Sequence, residues 1–359
     1  MKRRIEQYLV TWKSRASRKP LVIRGARQVG KTWLVRHFGK AHYEHLLEVN
    51  FDRNPEIVEL FRYGIAKGLS LLEAQMNIPI ITGKTLIFFD EIQAAPSMLP
   101  LLRYFYEDFP EHHVVAAGSL LEFLLADHGF SMPVGRIEFL HLGPMEFEEF
   151  LEAAGEERLV TFLQEVSLND PIPGPIHDKL LEYVFTYWNV GGMPAAISSY
   201  LRSGGSFLES MREHASILQT YQHDFTKYGS RIAPSKLQRV FSATPLHVLK
   251  KLKYSNVDVE MSVRDVKQNL LLLELAKVFY SVHHSAGNGL PLGAQIKEKV
   301  RKLLYLDVGL LMSASKIPPV QQLSQAASDF SGVLAEQFVG QHLLYDSEPY
   351  VEPALYYWS

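Results

Sequence analysis

Eight residues near the start of the chain, Gly25 to Thr32 (GARQVGKT), have the types and spacing to bind phosphate. They match the pattern G-x-x-x-x-G-K-[ST] of a phosphate-binding loop (P-loop), whose backbone N–H groups surround phosphate oxygens. Lys31 is expected to contact the β- and γ-phosphates, and Thr32 to coordinate Mg²⁺. The alternative is a glycine-rich turn with an exposed lysine. The predicted nucleotide-binding residues are Gly25, Ala26, Arg27, Gln28, Val29, Gly30, Lys31, Thr32 and Trp33.

Two adjacent carboxylates form the second half of the predicted site. Asp90 and Glu91 end the apolar run TLIFFDE, which is typical of a strand buried on both faces of a parallel sheet. Ligands bind beside the carboxyl ends of such strands. Asp90 is therefore expected to hold Mg²⁺, and Glu91 to orient and polarise an attacking water. The alternative is an acidic helix cap at a strand end.

Ser119 and Arg136 are further candidates for catalysis. Ser119 ends a predicted fourth strand, where its hydroxyl could sense the γ-phosphate or water, although serines at strand ends also serve as helix caps. Arg136 precedes a fifth strand and could reach the nucleotide of a neighbouring molecule, where an arginine stabilises transition-state charge. A surface or intramolecular ion pair is the alternative for Arg136. Arg27 and Arg103 are weaker candidates for the same role.

The elements that must position these residues alternate between apolar strands and amphipathic helices. Five βα units predict an α/β domain with a doubly wound parallel sheet over residues 21–153. The strand that ends at Ser119 is expected between the first and third strands. Residues 1–20 predict a basic amphipathic helix, and residues 55–76 predict another helix.

Composition excludes several classes of site. The 359 residues include no cysteine, which rules out disulfides, thiolate zinc sites and cysteine nucleophiles and fits a reducing cytoplasm. The formal net charge of -2 gives no global attraction to nucleic acid, so any such contact must be local. The basic start (MKRR) is followed by no apolar core of a signal peptide, and no stretch reaches the length of a membrane span. These features predict a cytoplasmic protein.

The rest of the chain predicts three regions. Residues 154–234 are expected to be a helical lid or linker. Residues 235–312 predict a helix from Lys236 to Leu252, a second helix and two strands, which is the order of a winged helix. DNA is a candidate partner there, through Lys250, Lys251, Lys253, Arg264 and Lys267. Residues 313–330 predict a polar linker within the last region, 313–359.

The whole set of motifs resembles one family. The chain is similar to prokaryotic AAA-superfamily P-loop ATPases with an AAA_14 domain followed by a DUF4143 region. Besides the P-loop, the motifs that carry this resemblance are FFDEIQ from Phe88, GS from Gly118, GR from Gly135, LGPMEF from Leu142, GGMP from Gly191 and YLDVGL from Tyr305.

The resemblance implies three further roles. Pro194 matches a lid motif whose proline lies near adenine, and Arg136 matches an arginine finger, which implies a homo-oligomer. The last region resembles the start of a nuclease-like PD-(D/E)XK fold, with Glu336 on its first helix. The later acidic and lysine motifs of that fold do not occur before Ser359. The chain as given is therefore expected to lack nuclease activity.

These observations predict a Mg²⁺-dependent ATPase in which nucleotide state moves the helical and winged-helix regions. The adjacent carboxylates, and the absence of an Asn-Lys-x-Asp motif, favour ATP over GTP. Two alternatives remain open. One is a regulatory switch that binds DNA or protein and hydrolyses little ATP. The other is an ATP-regulated nuclease, if the natural chain continues past Ser359 into an active nuclease domain.

Overall fold

The computed structural model describes residues 1–119, 121–126, 135–167, 169–225, 233–289, 291–319 and 330–358. The chain divides into two compact units. The P-loop unit comprises Arg3–Gly143 and Glu348–Glu352, and the helical unit comprises Met1–Lys2, Pro144–Ser347 and Pro353–Ser359. Residues 127–134, and most of the polar linker predicted over 313–330, lie outside the described residues.

The P-loop unit alternates strands with helices, as the apolar pattern predicts. Its strands are β1 (Leu21–Arg24), β2 (His45–Asn50), β3 (Thr85–Asp90), β4 (His113–Ala117) and β5 (Glu138–His141). Its α-helices are α1 (Glu6–Ser14), α2 (Lys31–His42), α3 (Ile65–Met76), α4 (Met98–Glu107) and α5 (Leu121–Ala126). Two 3-10 helices cover Pro55–Tyr63 and Ile92–Ala94.

The five strands form one parallel sheet in the order β2-β3-β4-β1-β5. This confirms the predicted α/β fold and the position of β4 between β1 and β3. Every residue of β3 is buried, and so is every residue of β4. Buried strands of this kind form the centre of a parallel sheet, because helices cover both of its faces.

The segment after β2 differs from the single helix predicted over residues 55–76. Pro55–Tyr63 forms a 3-10 helix, and α3 begins only at Ile65. Gly64 separates the two with a φ of 94°, a backbone conformation that interrupts a helix. Phe61 at the end of the first piece packs edge-on against Phe89 of β3, so both pieces still cover the sheet.

Ten α-helices of the described residues lie in the helical unit. They are α6 (Phe147–Ala153), α7 (Glu157–Glu165), α8 (Gly174–Val190), α9 (Pro194–Arg202), α10 (Phe207–Asp224), α11 (Pro234–Ala243), α12 (Tyr254–Val257), α13 (Val263–Leu275), α14 (Val308–Ala314) and α15 (Ser331–Tyr345). Short 3-10 helices cover Thr244–His247 and Leu292–Gln295. Helix α14 begins at Val308, after the buried Asp307 caps its N-terminus by accepting a hydrogen bond from the Leu310 N–H.

A second, three-stranded sheet also belongs to the helical unit. Strands β6 (Phe279–Ser285) and β7 (Ile296–Tyr305) pair antiparallel, and the short strand β8 (Tyr356–Tyr357) pairs parallel with β6. The single helix predicted from Lys236 to Leu252 is wrong. Helix α11 ends at Ala243, because Pro245 cannot continue an α-helix. Val248 then bridges Leu303 of β7.

One buried carboxylate joins several motifs of the helical unit. Asp307 is fully buried, and it accepts hydrogen bonds from the backbone N–H groups of Gly192 (2.5 Å) and Leu310 (2.9 Å). Burial raises the pKa of Asp307 to about 6, and the backbone donors oppose that rise. Nearby, the Tyr187 hydroxyl donates to the Met145 carbonyl and accepts from the Gln341 amide. Much of the sequence resemblance in this unit therefore falls on one buried polar network.

None of the described helices combines the length and the apolar character that a membrane-spanning helix needs.

The approach of Gly191 to Asp307 generates a stability prediction. Gly191 has a φ of 66°, and a Cβ there would lie 2.1 Å from the Asp307 carboxylate. Gly204 has a similar φ of 71°, but a Cβ there would meet nothing within 4 Å. We expect Gly204→Ala to cost about 1–2 kcal/mol through the left-handed backbone alone. Gly191→Ala should cost a further ~1–3 kcal/mol, from overpacking and because its ψ of -170° combined with a positive φ is a conformation that side chains disfavour. Urea unfolding of both variants measures the difference, and equal losses would contradict the buried contact.

Candidate functional site

The P-loop connects β1 to α2 and approaches the backbone that follows β5. A Cβ on Gly25 would lie 2.2 Å from the Leu142 carbonyl oxygen, so only glycine fits at this position. The Leu142 N–H in turn donates to the carbonyl of Arg24 at 2.8 Å. Gly30 precedes α2 with a φ of 97°, in the left-handed region that glycine favours. Gly25 is therefore required because a side chain would not fit, and Gly30 is favoured because of its backbone conformation.

Lys31 is buried at the first position of α2. Its ammonium donates to the carbonyls of Gly25 at 2.9 Å and Ala26 at 2.7 Å, so the charge lies against the loop. Burial lowers the pKa of Lys31 to about 8, although the carboxylates of Glu91 and Asp90 oppose this shift. A phosphate bound in the loop would provide a partner for this poorly solvated charge.

Thr32 and Asp90 meet at the carboxyl edge of the sheet, as predicted. The Thr32 hydroxyl lies 3.2 Å from each carboxylate oxygen of Asp90, and the Asn50 side-chain amide donates to the same carboxylate at 3.2 Å. Burial raises the pKa of Asp90 above its ordinary value, and the adjacent Glu91 charge adds to the rise. A dication would relieve both effects, and hydroxyl and carboxylate oxygens are ligands that suit Mg²⁺. The residues present therefore fit a magnesium site.

A magnesium ion bound beside nucleotide does not require a site made of protein ligands alone. Among the described residues, no group of three His, Asp or Glu side chains is placed to hold a metal ion. Magnesium beside nucleotide phosphates typically uses one or two protein ligands, with waters and phosphate oxygens completing the shell. Thr32 and Asp90 match that smaller number.

Glu91 and Ser119 lie together at the ends of β3 and β4. The Glu91 Oε2 atom accepts hydrogen bonds from the Ser119 hydroxyl at 3.2 Å and from the Ser119 N–H at 3.4 Å. The Gln93 side-chain amide donates to the same oxygen at 2.5 Å. Glu91 itself has a φ of 52°, which is uncommon for a residue with a side chain. Three donors thus fix the candidate base.

Sequence reasoning missed three of these contacts. Asn50 ends β2, so the same strand-end logic that selected Asp90 could have selected it. Gln93 carries no such signal, because its role depends on how the 3-10 helix after Glu91 turns back. The third is a bidentate ion pair between Arg24 at the end of β1 and Glu122 on α5, both largely buried. Nothing in the sequence links two charges 98 positions apart.

The other predicted residues lie in different surroundings. Arg136 is half exposed, and its guanidinium donates to Glu107 at 2.7 Å, while Arg103 donates to the other oxygen of that carboxylate at 2.9 Å. Trp33 is exposed on α2 and stacks on His37 with ring centroids 4.7 Å apart. Pro194 is the first residue of α9, in the helical unit. The roles given to Arg136, Trp33 and Pro194 remain predictions.

Glu336 lies on a helix, and the nuclease-like setting that the resemblance implies for it stays a prediction. It is half exposed on α15, where its carboxylate accepts a hydrogen bond from the Lys302 ammonium of β7 at 2.6 Å. The sheet beside it contains β6, β7 and β8.

Comparison with protein families assigns two parts of the chain. Residues 17–151 match AAA_14, an AAA domain. Residues 181–321 match DUF8612, a domain of unknown function. The expected DUF4143 region is therefore not supported, since a different domain family matches this part of the chain. No curated protein gives a significant match.

Solved structures give similarities at low sequence identity. The Walker-type ATPase PABY2304 of Pyrococcus abyssi is 14% identical, with 88% of this chain and 95% of that chain covered and a TM-score of 0.50. The Aeropyrum pernix ORC1 protein in complex with DNA is 14% identical over 88% and 91%, with a TM-score of 0.33. AMPPCP-bound DnaA from Aquifex aeolicus is 13% identical over 75% and 85%, with a TM-score of 0.30.

At this identity the first of these likenesses concerns the fold alone. It agrees with the AAA domain matched over residues 17–151 and with the parallel five-stranded sheet. The P-loop unit has the fold of an AAA-type P-loop ATPase.

Proposed function

We propose that the P-loop unit binds ATP with Mg²⁺ and hydrolyses it. The observation that carries this proposal is the meeting of Thr32 and Asp90 at 3.2 Å, because it joins the P-loop to the acidic strand end. Lys31 and Glu91 lie on the same two segments, so phosphate binding and water activation fall at one edge of the sheet.

The loop amides and Lys31 would bind the phosphates. Successive N–H groups and the N-terminus of α2 supply partial positive charge, and Lys31 adds a full charge. Thr32 and Asp90 would hold Mg²⁺, which neutralises charge on the phosphate oxygens when it is bound. Catalysis by such a site consists mostly of positioning and electrostatic stabilisation, because phosphoryl transfer requires little covalent chemistry from the protein.

Glu91 is the proposed residue that orients and polarises the attacking water. Its Oε2 atom accepts from Ser119 and Gln93, which leaves Oε1 as the oxygen for water. Ser119 therefore reaches the reaction centre through Glu91, and it is proposed to transmit the state of the bound phosphate to that carboxylate.

Two substitutions separate binding from hydrolysis. Glu91→Gln should keep ATP affinity within a few-fold of the parent and lower kcat by about 10²–10⁴, the usual contribution of a positioned acid–base group. Lys31→Ala should abolish detectable ATP binding, since it removes the charge that contacts two phosphates. Isothermal titration and phosphate release measure the two effects. Glu44→Gln, an exposed carboxylate just before β2 and therefore at the opposite edge of the sheet, is the matched control. Parental turnover by Glu91→Gln would eliminate Glu91 as the water-activating group.

The lowered pKa of Lys31 predicts how ATP affinity depends on pH. In the free protein, Lys31 loses its proton as the pH rises through about 8. Phosphate favours the charged ammonium, so binding above that pH takes up a proton and becomes weaker. We expect the affinity to fall by about tenfold per pH unit above 8, following proton linkage. Titrations with ATP at pH 7.5, 8.5 and 9.5 measure this. Lys31→Arg keeps its charge throughout and should remove the dependence, whereas a flat parental profile would contradict the assignment.

Arg136 is proposed to act in trans within a homo-oligomer. In an isolated chain, the Arg136 guanidinium pairs with Glu107 instead of a neighbouring nucleotide. Such an arginine is worth about 10³–10⁵ in rate in well-characterised systems, so isolated chains should turn over slowly.

A second candidate function, DNA binding, is favoured by the order of elements from α11 to β7. Three helices followed by an antiparallel pair of strands is the order of a winged helix. Between α11 and α12, Val248 forms a single bridge with Leu303 of β7. The exposed face of α13 carries Arg264, Lys267 and Gln268, residue types that contact phosphates and base edges. Lys250, Lys251 and Lys253 are exposed on the preceding loop.

One experiment tests the oligomer and DNA proposals together. ATP hydrolysis per chain is measured against protein concentration, with and without duplex DNA. The rate should rise with concentration in the parent and stay low in Arg136→Ala. DNA should change the parental rate, and this effect should weaken with salt as phosphate contacts do and diminish in Arg264→Ala/Lys267→Ala. A rate independent of concentration would contradict action in trans, and a rate that DNA leaves unchanged would contradict coupling to DNA.

A further inference from the structure

The basic start of the chain contains an arginine with a specific structural position. Arg3 has an exposed fraction of only 5%, although it stands just before α1 in the stretch MKRR. Its two terminal nitrogens donate to two backbone carbonyls, Nη1 to Val29 at 2.9 Å and Nη2 to Gly143 at 2.9 Å. One guanidinium therefore joins the P-loop to the backbone that follows β5.

The bond to Val29 acts on the part of the loop that would contact phosphate. In a trans peptide the carbonyl and the following N–H point in opposite directions. Holding the Val29 carbonyl toward Arg3 thus directs the Gly30 N–H to the opposite side. Gly30 has a φ of 97° and no side chain that would restrict this peptide by itself. The fork of the guanidinium supplies that restriction from outside the loop.

The hydrogen bond to Gly143 holds the guanidinium on the backbone segment that also packs against Gly25, the first residue of the P-loop. Gly25 packs against the Leu142 carbonyl, and the Leu142 N–H bonds to Arg24. Two positions of the P-loop are therefore tied to residues 142 and 143, Gly25 by direct packing and Val29 through Arg3.

We propose that Arg3 is a positioning residue for phosphate binding. It holds the Val29–Gly30 peptide in the orientation that presents the Gly30 N–H to phosphate, and it places a buried positive charge beside the loop. This inference rests on the proposed function. It differs from a purely structural anchor for α1, which would stabilise the protein without affecting the loop.

The test compares Arg3→Met, Arg3→Lys and the exposed neighbour Arg4→Met in the full chain. Hydrogen exchange of the peptide covering residues 25–33 is measured without nucleotide, and the Kd for ATP is measured by titration. Arg3→Met should raise both the exchange rate and the Kd by about ten- to a hundredfold, as expected for lost hydrogen bonds to a charged group. At saturating ATP, kcat should change much less. Arg3→Lys should give an intermediate result, because an ammonium cannot span both carbonyls as a planar fork does. Arg4→Met should match the parent.

The outcomes separate the possibilities. A lower melting temperature in Arg3→Met, with unchanged loop exchange and unchanged Kd, would overturn the proposal in favour of a structural anchor. If Arg3→Met fails to fold, parental exchange and Kd in Arg3→Lys would overturn it equally. Failure of the parent to bind ATP would refute the proposed function, whereas loop exchange in the variants would still decide whether Arg3 orders the P-loop.

Discussion

The parallel hydrogen bonding of β1, β4 and β3 is the constraint on which the site depends. Ile23 pairs with Ala117, and Phe89 pairs with Ala116, so the strands end at the same edge of the sheet. Each strand then delivers one part of the site, because ligands bind where parallel strands end. The P-loop follows β1, Asp90 and Glu91 end β3, and Ser119 follows β4. Burial of their apolar side chains fixes the positions of these strands, and the strand ends in turn fix the positions of the polar groups.

Three buried charged groups, two in the P-loop unit and one in the helical unit, are held by backbone atoms. Lys31 donates to loop carbonyls, Arg3 donates to the carbonyls of Val29 and Gly143, and Asp307 accepts from backbone N–H groups. A buried charge is costly unless hydrogen bonds satisfy it, and main-chain partners have positions that the fold already determines. In the P-loop unit these bonds restrain the loop backbone at Gly25, Ala26 and Val29. Preorganisation of this kind lowers the cost of binding.

The sequence predicted those features that depend on local spacing. Alternating apolar runs and helices predicted the parallel sheet, and the P-loop pattern and the pair Asp90-Glu91 predicted which strand ends would meet. Contacts distant in sequence were beyond reach, namely Arg3 with Val29 and Arg24 with Glu122. The contact of Gln93 with Glu91 is local, but it depends on a turn that no residue pattern marks. The single helix predicted from Lys236 to Leu252 was wrong because that prediction ignored Pro245, which follows the end of α11. The DUF4143 expectation is not supported, because the family model that matches residues 181–321 is DUF8612.

The central claim is that this sheet edge hydrolyses ATP with Mg²⁺. Single-turnover hydrolysis of γ-labelled ATP, with protein in excess, tests it most directly because slow product release cannot mask the chemical step. We expect release of labelled phosphate in the presence of Mg²⁺, loss of that release with EDTA, and restoration when excess Mg²⁺ is added. Bound ATP that remains intact with Mg²⁺ over many hours, at concentrations that would allow neighbouring chains to associate, would rule out hydrolysis at this site.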